Sequence, residues 1–425
     1  MRFQSRSSES GAAAIQLAVI LVPVVLALLG FALDLGILYS VKGELKAGAN
    51  AMALAAAQQL IGTDTATAGA SAAGQLTIEN SSSFGNKYYF HGLPLGQTTG
   101  SLTSIVSDPA YYATAADAIA SATSAGAETS SSQAKYVRVR ISGQTQLLFW
   151  SFLPIVSDRN VNVLATAVAG ISAPLCQACG IEPFAVAAIS QSDTMDFGFT
   201  PGTKYSFTYL CTLSAGTVLP PVLAGASQLV SYVLLNRLDQ NTAVFPDESS
   251  QAYRDGAGGL PGTSNSAQAC FRVNNTESIW VSATVNACNM SVASVVSDAL
   301  CGLDTRFESA TPTGCAGIVG IDTLSTIYQP DTDGSDHDVY TDYTGDARRI
   351  ITIPIVDAVS SGANMTVLGF RQFLLIPNQG ALNINPSDMF GRFVAMYIGS
   401  VAPVKQGRFD GCQQTAGPGK VVLHQ

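Results

Sequence analysis

The chain has 425 residues, only 12% of them charged, and a formal net charge of −9. Globular domains carry about a quarter charged residues, so Ser, Thr, Ala and Gly supply much of this surface. An acidic balance excludes nucleic acid as a partner, and the length calls for two folded domains.

Residues 1–11 form a short segment carrying Arg2 and Arg6 against Glu9. Ala12 to Leu33 follows as AAAIQLAVILVPVVLALLGFAL, uncharged and interrupted only by Gln16 and Pro23. At about 1.5 Å per residue such a helix covers the roughly 30 Å hydrocarbon core of a bilayer. Signal peptides use a shorter apolar region of about 7–15 residues. Residues 12–33 are therefore expected to be a retained transmembrane helix held by lipid. A leader cut near the small residues Ala53 to Ala57 is the other reading. Arg2 and Arg6 favour a cytoplasmic N-terminus, opposed by Lys42 and Lys46 beyond the run.

Residues 34–61 extend the helix with one apolar stripe. Leu38, Val41, Leu45, Ala49, Met52, Ala56 and Leu60 recur at steps of three and four, which places them on one face. Gly62 and Thr63 stop the helix, giving an expected span of Ala12 to Ile61. The stripe needs a partner, either the chain's own head or another subunit's helix.

Residues 62–173 read as a first β-rich domain. Thr63 to Gln133 is Ala/Ser/Thr/Gly-rich, with a short helix over Ala110 to Ala122 amid loops and weak strands, and a linker over Ser121 to Gln133. Three strand-like segments follow: Lys135 to Ser142, the apolar Gln146 to Val156, and Asn160 to Ser172. The last puts Val161, Val163, Ala165 and Ala167 on one side.

Residues 174–425 read as a second β-rich domain, bordered by Pro174, Cys176, Cys179 and Gly180. Strands are expected over Ile181 to Ile189 and, after the Pro201-Gly202 turn, through Tyr205, Phe207 and Tyr209. A helix is expected over Val222 to Leu238 and a loop over Asp247 to Ala267. Strands beginning at Arg349, Met365 and Arg392 close the chain.

All eight cysteines, Cys176, Cys179, Cys211, Cys270, Cys288, Cys301, Cys315 and Cys412, lie beyond the apolar run. An even count in an exported chain reads as disulfides, of open connectivity. Cys176 and Cys179 form a CxxC without the second CxxC of a zinc ribbon or a thioredoxin-like context.

Catalytic groupings do not assemble. The histidines are His91, His337 and His424, and there is no GxSxG elbow, phosphate loop or dinucleotide fingerprint. No enzyme and no cofactor are expected. One acidic stretch, Gln329 to Arg349, carries Asp331, Asp333, Asp336 and Asp338, followed by Asp342 and Asp346. Its first reading is a solvated loop leading into a strand. The second is a Ca²⁺ site, since clustered carboxylates suit a hard cation, although the spacing is not that of an EF-hand. Asn274 with Thr276, and Asn364 with Thr366, match a glycosylation acceptor pattern.

The block from Ser10 to Ala57, with Asp34-Leu35-Gly36 near the end of the apolar helix and Ala53 to Ala57 after it, resembles the Tad/Flp pilus-assembly TadE/TadG-like family. Tyr136 to Ile141, Phe149 to Pro154, Asn162 to Gly170 and Cys176 to Gly180 are similar too, as are the strands from Arg349 and Val367. Leu213 to Gly345 lies outside the resemblance. The resemblance implies a single-pass protein of a bacterial inner membrane, N-terminus cytoplasmic and head periplasmic, working with other pilus or envelope proteins. It also implies processing after Gly11 in some members. Gln16 stands here where those members carry Glu. The von Willebrand A domain of longer relatives has no DxSxS counterpart here.

The expected fold is α+β, a long N-terminal transmembrane helix followed by a mostly antiparallel β extracytoplasmic head. The expected function is that of a non-catalytic, pilin-like or accessory component of Tad/Flp-type pilus assembly. The alternative is an anchored extracytoplasmic adhesion or binding protein.

Overall fold

A computed structural model describes residues 9–78, 88–90, 93–95, 98–99, 102–120, 127–128, 130–147, 149, 160–182, 184–210, 220–234, 270–278, 294–307, 315, 330–359, 364–378 and 383–424. It is an α+β chain with one long apolar N-terminal helix and a mostly antiparallel β head stapled by disulfides.

Helix α1 spans Glu9–Ala57 and carries Pro23 inside it. It stops one turn before the expected Ile61. Gln58 N–H still reaches Leu54 O at 3.2 Å, after which Gln59 N–H bonds Ala56 O at 3.0 Å and Ile61 N–H bonds Gln59 O at 2.9 Å. Gly62 then reverses the chain at φ +80, a conformation that suits glycine. A Cβ there would also sit 3.2 Å from Val401 Cβ.

A second helix, α2 over Ala66–Ile78, was not expected, since this stretch reads as loops and weak strands. It buries Ala66, Ala70, Gly74 and Ile78. Four-residue spacing of small side chains lets α2 lie close along α1, where Gly74 faces Met52 and Ala56.

The short strands β1 (Tyr89–Phe90), β2 (Leu93–Pro94) and β3 (Thr98–Thr99) lead into β4 (Leu102–Val106). The stretch expected to be a helix over Ala110 to Ala122 opens instead with strand β5 (Ala110–Tyr112), which pairs with β6; only Ala115–Ala120 is helical, as α3. Two large tyrosines fit an edge pairing better than a helix interior. Of the Ser121 to Gln133 stretch, residues 121–126 and 129 lie outside the described residues. Ser131–Gln133 makes one 3-10 turn, held to α2 by Thr67 N–H on Ser131 Oγ at 2.8 Å.

Strands β6 (Tyr136–Gln146) and β7 (Asn160–Ile171) are antiparallel in unbroken register from Tyr136↔Gly170 to Gln146↔Asn160. The apolar segment after Gln146 is thus the connection between two paired strands. Leu147 and Phe149 lie outside any strand, and its other residues lie outside the described ones. Val137, Val139, Ile141, Val163, Ala165 and Ala167 alternate inward. They meet Val41, Leu45, Ala49, Met52, Ala53 and Ala56 of α1 in one core. The stripe therefore packs on the chain's own head.

Strand β8 (Gln177–Cys179) precedes β9 (Phe184–Ala187), β10 (Lys204–Tyr209) and β11 (Gln228–Leu234). The helix expected over Val222 to Leu238 is absent as far as Leu234, and residues 235–238 lie outside the described ones. Gln228–Leu234 pairs parallel with β10 and antiparallel with β9. Its β-branched and aromatic side chains suit a strand flanked on both sides.

After β12 (Cys270–Arg272) and β13 (Thr276–Ser278) comes helix α4 (Ser294–Asp304), then β14 (Ile350–Val356), β15 (Asn364–Ile376) and β16 (Phe393–Gly399). The expected loop over Asp247 to Ala267 lies outside the described residues. Strand order is β13-β15-β14-β9-β11-β10-β16, and β15 also pairs with β16. Six strands thus close into a barrel, which leaves no open edge between them. The barrel core is aromatic: Phe207 stacks on Phe393 at 4.8 Å and meets Phe373 edge-on at 5.2 Å. Val296, Ala299, Leu300 and Leu303 of α4 join the same core.

Strand β17 (Gln406–Arg408) joins β8 and β12 in a three-stranded sheet. Strand β18 (Val421–Leu423) returns to pair with β7, so the sheet order there is β18-β7-β6-β4-β3. The disulfides are Cys176–Cys412, Cys179–Cys270 and Cys301–Cys315. Cys211 and Cys288 lie outside the described residues. The CxxC cysteines bond to separate distant partners, so both serve as staples here.

Candidate functional site: the bare helix and its two joints

Among the described residues, little covers α1 from Ala14 to Gly36. Between Ala14 and Gly36 only Gly30 and Asp34 are buried. Ile15, Leu17, Val19, Ile20, Leu28 and Leu33 are each about two-thirds exposed, from 64% to 67%. The helix is long and apolar enough to cross a membrane. Gly11 lies inside α1, and Gln16 is exposed on it.

The lower joint is where the bare helix meets the head. Gly30 and Asp34 are one turn apart on the same face. Gly30 makes room for Phe149, since a Cβ at position 30 would fall inside the Phe149 ring. Phe149 N–H donates to both Asp34 carboxylate oxygens at 3.1 Å. Farther along, Lys46 reaches across the sheet and donates from Nζ to Thr166 O at 2.5 Å. Burial lowers the Lys46 pKa, and Lys42 lowers it further.

The upper joint fixes the far end of α1 to the barrel. Tyr340 OH donates to Ile61 O at 2.6 Å, and Asp64 N–H donates to Thr341 O at 2.9 Å. Ile61 and Ala66 pack with Tyr340, Tyr343, Leu374, Met396 and Ile398. Tyr340 and Tyr343 sit in the acidic stretch singled out from sequence, so that stretch is structural cement between helix and barrel.

Its carboxylates turn toward protein donors. Asp331 accepts from Tyr343 OH, from Asp333 N–H at 2.9 Å and from Arg349 N–H at 3.0 Å. Asp333 accepts from Ser335 N–H and Thr344 N–H, each at 2.9 Å, and lies 2.7 Å from His337 Nε2. Burial opposes ionisation of Asp333, but these hydrogen bonds outweigh it and hold the carboxyl well below the usual range. Asp336 and Asp338 lie apart from that pair and both accept from Lys204 Nζ, at 2.8 and 3.0 Å. Burial lowers Lys204, yet the two carboxylates prevail and raise its pKa. Among the described residues no three His, Cys, Asp or Glu side chains gather as a metal-holding group. Asp331 and Asp333 are the centre of an inward-facing knot, Asp333 only 6% exposed, whereas Asp336 and Asp338 lie on the exposed part of the stretch.

Arg349 completes the knot. It is fully buried, donates to Ser335 O at 3.0 Å and Leu375 O at 3.3 Å, and lies over the Tyr343 ring at 5.3 Å. His424 packs edge-on against Tyr136 at 5.2 Å, and burial lowers its pKa. His91 lies outside the described residues.

Sequence reading missed the lower joint. Nothing in the apolar pattern ties Phe149 to Gly30 and Asp34, because one contact is made by a backbone N–H and the other needs only the missing Cβ at position 30. The Ala66, Ala70, Gly74, Ile78 spacing was a usable signal for α2. No protein-family model, curated protein or solved structure matches the chain.

Proposed function

We propose that the chain is a membrane-anchored, non-catalytic component of a Tad/Flp-type pilus-assembly apparatus in a bacterial inner membrane, with its head on the oxidising side. One observation carries the anchor: α1 is a single helix whose bare apolar half runs without a break into the half that forms the core of the head. A soluble protein's core helix would be covered, whereas an uncovered apolar cylinder is stable in lipid. Retention is supported by the same continuity. A cut near Ala57 would remove Val41, Leu45, Ala49 and Met52 from beneath β6 and β7.

Three disulfides among the described residues suit an oxidising compartment. The pilus role rests on the resemblance of the Ser10 to Ala57 block and the strands after it. Partners are then lipid through residues 12–33 and other pilus or envelope proteins through the head.

Two measurements test this. The full chain should resist alkaline carbonate extraction from membranes, and a C-terminal reporter should be active only outside the cytoplasm. Deleting the gene should abolish filaments. Intact filaments with weakened attachment would replace assembly by adhesion, and an extractable protein would remove the anchor.

A further inference from the structure

We propose that Leu147 and Phe149, just beyond the end of β6, form a second membrane contact that seats the head directly on lipid. The inference rests on the anchor reading above and goes beyond it. An anchor alone allows the head to stand off at any angle; this contact fixes its base at the bilayer surface.

The depth follows from α1. The apolar run ends at Leu33, and Gly30 lies three residues inside it, about 4.5 Å along the axis. Phe149 covers Gly30. A bilayer that takes up Ala12 to Leu33 therefore reaches the Phe149 ring. Interfacial elements bury their apolar face about 5–10 Å into the headgroup and acyl boundary, and a ring beside Gly30 lies close to the shallow end of that range.

The polar chemistry is arranged for that level. Asp34 is the first charged residue after the run. A carboxylate at a lipid boundary needs donors that hydrocarbon does not supply. Here Phe149 N–H supplies one, to both oxygens. Just above, β6 and β7 end in Gln144, Gln146, Asn160 and Asn162, all exposed. Tyr39, 69% exposed, stands on α1 a turn beyond Asp34. Amphipathic aromatics and amides above an apolar tip are the composition of a membrane interface.

Tryptophan fluorescence in the full chain tests the contact. The background carries Trp150→Phe and Trp280→Phe, removing both native tryptophans. Phe149→Trp and, separately, Leu147→Trp place one reporter at the tip. Leu21→Trp reports the anchor. Vesicles of phosphatidylethanolamine and phosphatidylglycerol contain lipid brominated high on the acyl chain, and iodide is the aqueous quencher. The expected result is several-fold stronger quenching by brominated lipid than by iodide at either tip reporter. Iodide quenching at both tip reporters, with Leu21→Trp quenched by lipid, overturns the contact and leaves the anchor. Protection of both tip reporters from both quenchers overturns it too, because protein then covers the tip. Loss of lipid quenching at Leu21→Trp overturns the anchor and the contact together.

Discussion

Arg306, just past the end of α4, and Glu182, just before β9, form a buried ion pair, each side chain less than one-tenth exposed. The second Glu182 oxygen accepts from Thr352 N–H at 3.1 Å, and Arg306 donates to Arg348 O at 3.0 Å. The pair therefore ties the helix in the barrel core to β9 and β14. Burial raises the Glu182 pKa, and Arg306 opposes that rise.

Breaking one side of such a pair strands a buried charge. Arg306→Leu should lower unfolding stability by about 3–5 kcal/mol. The double variant Glu182→Leu with Arg306→Leu should cost less than the sum of the two singles, because the charges are removed together. Denaturant unfolding with disulfides intact measures both. Additive losses would show that the pair is not coupled.

The α1–α2 contact gives an opposed pair of glycine changes. A Cβ at Gly74 would lie 3.1 Å from Met52 Cγ and 3.4 Å from Met52 O. Gly74→Leu should destabilise by about 1–3 kcal/mol through overpacking. A Cβ at Gly69 meets only Gln59 Cβ, at 4.0 Å. Gly69→Ala should stabilise by up to about 1 kcal/mol through helix propensity. Thermal melting of the two variants should move in opposite directions.

Acid should loosen the upper joint through Asp333. Its folded pKa is depressed below the ordinary 3.8, so its contribution is complete above 3.8 and fades as pH falls toward the folded value. Asp333→Asn should cost about 1–3 kcal/mol at neutral pH, from imperfectly replaced hydrogen bonds. It should also flatten the fall of melting temperature below pH 3.8. An unchanged acid slope would remove Asp333 from this role.

Alkali should act on the α2–β5 contact. Tyr111 OH donates to Thr67 O at 3.0 Å. Burial pushes the Tyr111 phenol from 10.0 to about 12, with a push from Asp108 and an opposing hydrogen bond with Ser71. Its stabilisation is complete below pH 10.0 and is lost as pH rises toward about 12. Following phenolate absorbance, Tyr111→Phe should lose one late-titrating tyrosine and weaken the decline of stability above pH 10.0.

Much of this fold was legible because apolar side chains repeat with clear contrast. The α1 stripe from Val41 to Ala56, the alternation in β6 and β7, and the dense strands β14 to β16 all announce themselves. Helix α2 is fainter: the four-residue spacing of Ala66, Ala70, Gly74 and Ile78 is there, but alanine, glycine and threonine give little contrast between its faces. Gln228–Leu234 was misread because an apolar run without a period fits either state, and only β9 and β10 on its flanks decide it. The acidic stretch was visible as composition, but the inward turn of Asp331 and Asp333 depends on donors from Tyr343, Thr344 and Arg349. The Asp34–Phe149 contact joins residues 115 apart through a main-chain N–H, which no side-chain pattern encodes.

Strand β18 and the Cys176–Cys412 staple place late-synthesised residues beside early ones, 236 positions apart in the case of the disulfide. The helix-backed sheet thus waits for its last strand until Val421–Leu423 has been synthesised. A sheet built this way cannot mature piecemeal from its N-terminal strands. The layer of β6 and β7 must stay incomplete, and shielded from aggregation, until Val421–Leu423 arrives to close it.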